Sequence, residues 1–132
     1  MGRVEAIGAV SRARLGFYNQ ETREYQFFSI EQPLEILKLA GNISIKDGEP
    51  MVHAHVVLGD KDGKSFGGHL APGTTVFACE CMIGVFEGTV LERKSDGETG
   101  LPLWLLTNCR TRLRLMKCSV AEHTESRGRR AK

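Results

Sequence analysis

The sequence predicts a β-dominated domain built from antiparallel hairpins. Three observations carry this prediction. Short runs of β-branched and aromatic residues recur along the chain, Gly-rich or Asp-Gly turns separate them, and the 15 glycines suit such turns better than a helical bundle.

With 132 residues the chain makes one domain, large enough for a single hydrophobic core without staples. Hydrophobic content of 41% and charged content of 26% are those of a globular protein rather than a disordered one. No apolar run reaches the length needed to cross a bilayer, and Met1 to Ser11 lacks a signal peptide's apolar core. A cytoplasmic protein with no membrane partner is expected.

Taken in order, Gly8 to Tyr18 reads as a strand, Asn19 to Arg23 as a polar turn, and Glu24 to Ile30 as the returning strand. Pro33 to Ala40 fits a short helix after a proline start or one bent strand, and periodicity does not separate the two over eight residues. Ile43 and Ile45 then alternate with polar residues into an Asp47-Gly48 turn. Further on, Thr74 to Ile83 is an apolar β-rich run, Gly84 is expected to bend it, and Val85 to Arg93 to continue as another strand. Ser95 to Gly100 reads as a loop, and Pro102 to Thr107, with the single Trp at 104, as the last strand of a domain spanning residues 1–109.

Residues 110–132 differ in character. They hold eight Lys or Arg against two Glu, a net of +6, which leaves −4 on residues 1–109. Arg110, Arg112 and Arg114 alternate with Thr111, Leu113 and Leu115, as in an edge strand with a basic outer face. Past Cys118 a disordered basic tail is expected. Its end, Arg127-Gly128-Arg129-Arg130, is similar to the Arg-Gly-Arg core of an AT-hook, with Arg130 where a proline normally follows. Arg127, Arg129, Arg130 and Lys132 are the candidate nucleic-acid contacts.

Gly48 to Leu70 holds three of the four histidines. Met51 to Leu58 reads as a strand, and residues two apart on a strand share a face, so His53 and His55 project side by side. The turn that follows decides whether His69 joins them. A two-residue Asp62-Gly63 turn would oppose Lys61 to Lys64 and put His69 across from Val56, on the wrong face. A three-residue Lys61-Asp62-Gly63 loop, with Gly63 left-handed, opposes Asp60 to Lys64 and His69 to His55. The second is preferred, because like charges directly opposite are unfavourable. Opposed Cβ atoms lie roughly 4.5–5.5 Å apart, so three imidazoles can converge on one ion. Imidazole suits several transition metals, with zinc the default. The alternative is a set of half-buried histidines hydrogen-bonded to neighbours.

Gly41-Asn42-Ile43-Ser44, Asp47-Gly48-Glu49-Pro50, His53-Ala54-His55, Gly59 to Gly63 and Gly67-Gly68-His69-Leu70 resemble, in order and spacing, the plants and prokaryotes conserved (PPC) domain. Gly8-Ala9-Val10 and Leu103-Trp104 extend the resemblance over roughly residues 6 to 107. The resemblance implies an α+β, β-dominated fold, a mostly antiparallel sheet with little helix, assembled as a homotrimer with zinc held by His53, His55 and His69. It also favours a strand over Pro33 to Ala40, broken at Gly41. The family pattern has a strand and a helix before Gly8-Ala9-Val10, where this chain has only Met1 to Ile7, so those elements are expected to be missing.

Cys79, Cys81, Cys109 and Cys118 do not make a disulfide framework in a chain of this length, and buried reduced thiols are expected. The Cys79-x-Cys81 spacing is not that of a zinc ribbon. No G-x-S-x-G, P-loop, G-x-G-x-x-G or H-E-x-x-H motif is present, which removes the reaction classes they serve. Three functions fit. The first is an oligomeric regulatory protein that touches DNA through its basic tails, without a recognition helix. The second is a zinc-dependent hydrolase or lyase, with Glu49 and Glu80 the nearest candidate bases. The third is a scaffold stabilised by a metal without turnover.

Overall fold

The computed structural model describes residues 1–88 and 90–105. It contains eight strands and, among the described residues, no helix. In chain order these are β1 (Gly2–Asn19), β2 (Glu24–Ile30), β3 (Leu34–Lys46), β4 (Glu49–Gly59), β5 (Ser65–Leu70), β6 (Thr75–Val85), β7 (Arg93–Ser95) and β8 (Pro102–Trp104). The fold is antiparallel throughout, apart from one isolated parallel bridge between Ile45 and Glu92.

The long strand β1 organises the sheet. Its first half pairs with β3 and β6, and its second half with β2 and β5. The hairpins β3–β4 and β4–β5 bring the chain back to β1 through Leu15↔Leu70 and Gly16↔His69, closing a ring of β1, β3, β4 and β5. Bulges between Ala6 and Gly8 and around Val10 to Arg12 bend β1 so that one strand serves both halves.

Inside the ring pack Val10, Ala13, Leu15, Leu34, Ile36, Val56 and Leu58. Fully burying a leucine such as Leu15 or Leu58 contributes about 1.5–3 kcal/mol. On β4 the buried side chains are those of Ala54, Val56 and Leu58, next to the buried Gly59, so the alternation turns His53, His55 and Val57 to the outer face.

Three expectations are corrected. Strand β3 runs straight through Gly41 rather than breaking there. A Cβ at that position would lie 2.5 Å from the His53 carbonyl oxygen and 2.8 Å from Ala54 Cβ, so Gly41 serves a close approach of β3 to β4. The strand expected over Val85 to Arg93 does not form as one element: β6 ends at Val85, β7 begins at Arg93, and the described residues between them are in neither. Val85 faces Gly2 and the Phe86 N–H reaches the Met1 carbonyl at 2.9 Å; further on the chain meets β3 instead, where Glu92 bridges Ile45. Cys79 and Cys81 are exposed rather than buried, because among the described residues β6 pairs only with β1 and nothing covers either of its faces. The expectations for Cys109, Cys118, the 110–115 edge strand and the basic tail lie outside the described residues.

Candidate metal centre

The β4–β5 turn is the three-residue loop expected from charge. The Asp60 N–H donates to the Lys64 carbonyl at 2.9 Å and the Gly63 N–H to the Asp60 carbonyl at 3.1 Å. Gly63 sits at φ 78°, where a side chain would be strained. Asp60 Oδ1 accepts from the N–H groups of Asp62 and Lys64, both at 2.9 Å, holding the loop from inside. This turn sets His55 opposite His69.

The register then extends across five strands. Phe27 on β2 faces Gly16 on β1, Gly16 faces His69 on β5, His69 faces His55 on β4, and His55 faces Ala40 on β3. His53 stands one step along β4, opposite Asn42. Ring centroids are 5.2 Å apart for His53–His55, 5.1 Å for His53–His69 and 5.4 Å for His55–His69. One nitrogen from each ring lies within 4.8 Å of the other two. Zinc is held by imidazole nitrogens at about 2.0–2.1 Å, and these three lie close enough together to be its ligands.

Two further properties fit a metal. His69 Nδ1 is buried without a hydrogen-bond partner, a costly state for a polar atom unless something occupies the space it faces. Burial, with added repulsion from His69, Arg93 and His55, pushes His53 down to about 4, and burial with His55 lowers His69 as well. Both rings are neutral at pH 7, the form that ligates.

The surroundings contain groups that sequence reasoning did not single out. Tyr25 lies against His69 with centroids 4.9 Å apart and stacks on Phe27 at 5.7 Å. Arg93 is 8% exposed, in the hairpin β7–β8 that covers the outer face of β3. Its Nε donates to Ser44 Oγ at 2.7 Å, one terminal nitrogen to Asn42 Oδ1 at 2.6 Å and the other to the Pro102 carbonyl at 2.8 Å. Tyr18 and Arg23 bond the 95–100 loop through the carbonyls of Thr99 and Gly97, tying the hairpin to the β1–β2 turn.

The two carboxylates considered as bases are not brought to the histidines. Glu80 is on β6 opposite Ile7, a strand that pairs with neither β4 nor β5. Glu49 begins β4, four extended residues before His53 and so about 13 Å along the strand. Arg127, Arg129, Arg130 and Lys132 lie outside the described residues.

A closed antiparallel sheet carrying three convergent histidines on its outer face defines the class. Residues 2–87 match the Plants and Prokaryotes Conserved (PCC) domain, and the chain belongs to that family, also abbreviated PPC. Among solved structures it is similar to a metal-containing protein from Archaeoglobus fulgidus, with 49% identity and TM-score 0.75 over 79% of this chain and 73% of that one. A PPC protein from Pyrococcus horikoshii matches with 37% identity and TM-score 0.75 over 82% and 74%. A candidate DNA-binding protein from Ralstonia eutropha JMP134 matches with 30% identity and TM-score 0.71 over 80% and 72%. The curated relatives are bifunctional GlmU proteins of two Synechococcus strains. That of strain JA-3-3Ab is 36% identical over 98 residues, 74% of this chain but 14% of the relative's length. No described helix is long and apolar enough to cross a membrane.

Proposed function

We propose that this chain is a metal-binding, DNA-associated regulatory protein of the PPC family, acting as a homotrimer in the cytoplasm. The observation that carries the proposal is the convergence of His53, His55 and His69, one nitrogen of each lying within 4.8 Å of the others. Zinc suits three neutral imidazoles, and the similar Archaeoglobus protein contains a metal. In this reading the ion stabilises the fold by linkage and turns nothing over.

Assembly is supported by β6. Phe77 is 81% exposed, Val85 79% and Met82 72%, on a strand paired along one edge only. Such an apolar edge invites another chain, and three copies would present three tails of net +6 to DNA phosphates. The exposed thiols of Cys79 and Cys81 suit a reducing compartment.

Elemental analysis of untagged protein beside the His53→Ala/His55→Ala variant tests the centre, with light scattering on the same samples reading the mass. Near-stoichiometric zinc, lost in the variant, is expected at a mass of three chains. Wild-type protein without metal, purified without chelator, would sink the proposal.

One observation favours a second reading, a zinc-dependent hydrolase or lyase. His55 is exposed beside a groove lined by Lys38, Ala40, Val57, Gly67 and Gly68, which leaves a way in for a small molecule. Turnover abolished by His55→Ala would select it.

A further inference from the structure

Among the described residues Arg93 is a buried cation with no anion. Its three hydrogen bonds go to a hydroxyl, a side-chain amide oxygen and a backbone carbonyl, all neutral. The ion pairs among the described residues are Arg3–Glu5, Arg12–Glu31, Lys38–Glu5 and Lys61–Asp62, and Arg93 enters none of them. A guanidinium has five N–H donors, so two remain after those bonds. Burying such a charge without a counter-charge is costly; the Trp104 ring, 5.6 Å from the guanidinium carbon, offsets part of that cost, and an anion would offset more.

Its position indicates which partner. Asn42, which accepts from Arg93, stands directly opposite His53 in the β3–β4 register. The guanidinium is thus one residue away from the histidine cluster on the same outer face. With an ion on the histidines this face carries the charges of both the metal and Arg93. The ligand set supplies no negative charge to offset them.

We propose that the centre binds a small oxyanion, a carboxylate or phosphoryl group, with one oxygen completing the coordination of the histidine-held metal and Arg93 donating to the anion. Arginine's planar fork matches both groups, and charge-assisted bonds of this kind are the strong ones. Ser44 and Asn42 are positioning residues in this arrangement: they hold the guanidinium in place before the anion arrives. The proposal rests on the metal reading above and names what that metal faces.

The test uses the full-length protein loaded with cobalt(II), whose visible spectrum reports the ligands on the ion. It is titrated separately with inorganic phosphate and with acetate. The expected result is a saturable spectral change with at least one probe, and a half-saturating concentration raised about tenfold or more in Arg93→Gln with cobalt affinity retained. Tighter phosphate identifies a phosphoryl ligand and tighter acetate a carboxylate; either supports the proposal. Circular dichroism checks the variant's fold. If Arg93→Gln does not fold, Arg93→Lys, which keeps the charge and loses the fork, must still weaken the anion. Cobalt bound with no response to either probe, or with equal anion affinity in the folded variant, overturns the proposal and leaves the metal reading standing. Protein that binds no cobalt overturns both.

Discussion

His55 and His69 stand directly opposite each other on β4 and β5, their ring centroids 5.4 Å apart and their planes at 83°. This pairing follows from three loop residues, Lys61 to Gly63, and it turns two histidines of one strand into a three-histidine centre. The same register places Gly16 of β1 on the other side of His69, so the ring's closure and the site share one residue pair.

The metal-free protein loses stability on acidification through these rings. His53 has a folded pKa of about 4, below its ordinary 6.5, because of burial and then the charges of His69, Arg93 and His55; His69 shifts the same way. A depressed histidine binds fewer protons folded than unfolded. Its contribution is therefore whole above about 6.5 and is lost as pH falls from there toward about 4. The slope is at most about 1.4 kcal/mol per pH unit for each ring. Thermal melts between pH 4 and 7 should show this loss, and His53→Gln should flatten it; equal slopes in the two proteins would contradict the assignment.

Gly41→Ala should damage both fold and centre. The new Cβ would meet the His53 carbonyl oxygen and Ala54 Cβ, rigid atoms of β4 that move only with the strand. Overpacking of this kind costs about 1–3 kcal/mol. Urea denaturation should read that loss, and zinc competition with a chelator should show weaker binding as His53 shifts.

Leu15→Ala removes a side chain with 0% exposure at the pair that closes the ring. The expected cost is about 2–5 kcal/mol, set by how far Leu70 and Leu58 collapse into the space. A denaturation midpoint within experimental error of wild type would show that the ring does not close there.

A chain ending at Val120 lacks Arg127, Arg129, Arg130 and Lys132. It should lose most of its affinity for DNA while keeping its metal, and the full chain's binding should fall steeply with added salt. Fluorescence anisotropy on a labelled duplex at two salt concentrations checks both. Equal affinity for the two chains would remove the tail from the DNA reading.

Much of the scaffold was legible because it is local. Glu24–Ile30 appears as a strand with the expected bounds, and the Asp47-Gly48 turn forms with both residues at positive φ, 53° and 84°. The 61–63 loop was decidable from the charges of Asp60, Lys61 and Lys64 alone. Where the reading failed, a distant partner was responsible. After Phe86 the chain leaves β1 for β3, where Glu92 bridges Ile45, and Cys79 and Cys81 are exposed because no described residue covers β6. Neither fact has a signal near those residues.

Taken alone, the sequence determined the β-dominated class, the hairpins and the convergence of His53, His55 and His69. Each rests on side-chain alternation and on turns of two or three residues, interactions that act over a few positions. The tertiary structure decided what surrounds them. Arg93 reaches Ser44 and Asn42 across 49 and 51 residues of chain, and Tyr25 reaches His69 only because closure of the ring aligns β2, β1 and β5. Register between strands distant in sequence is set by the packing of the whole core, and a local pattern carries no record of it.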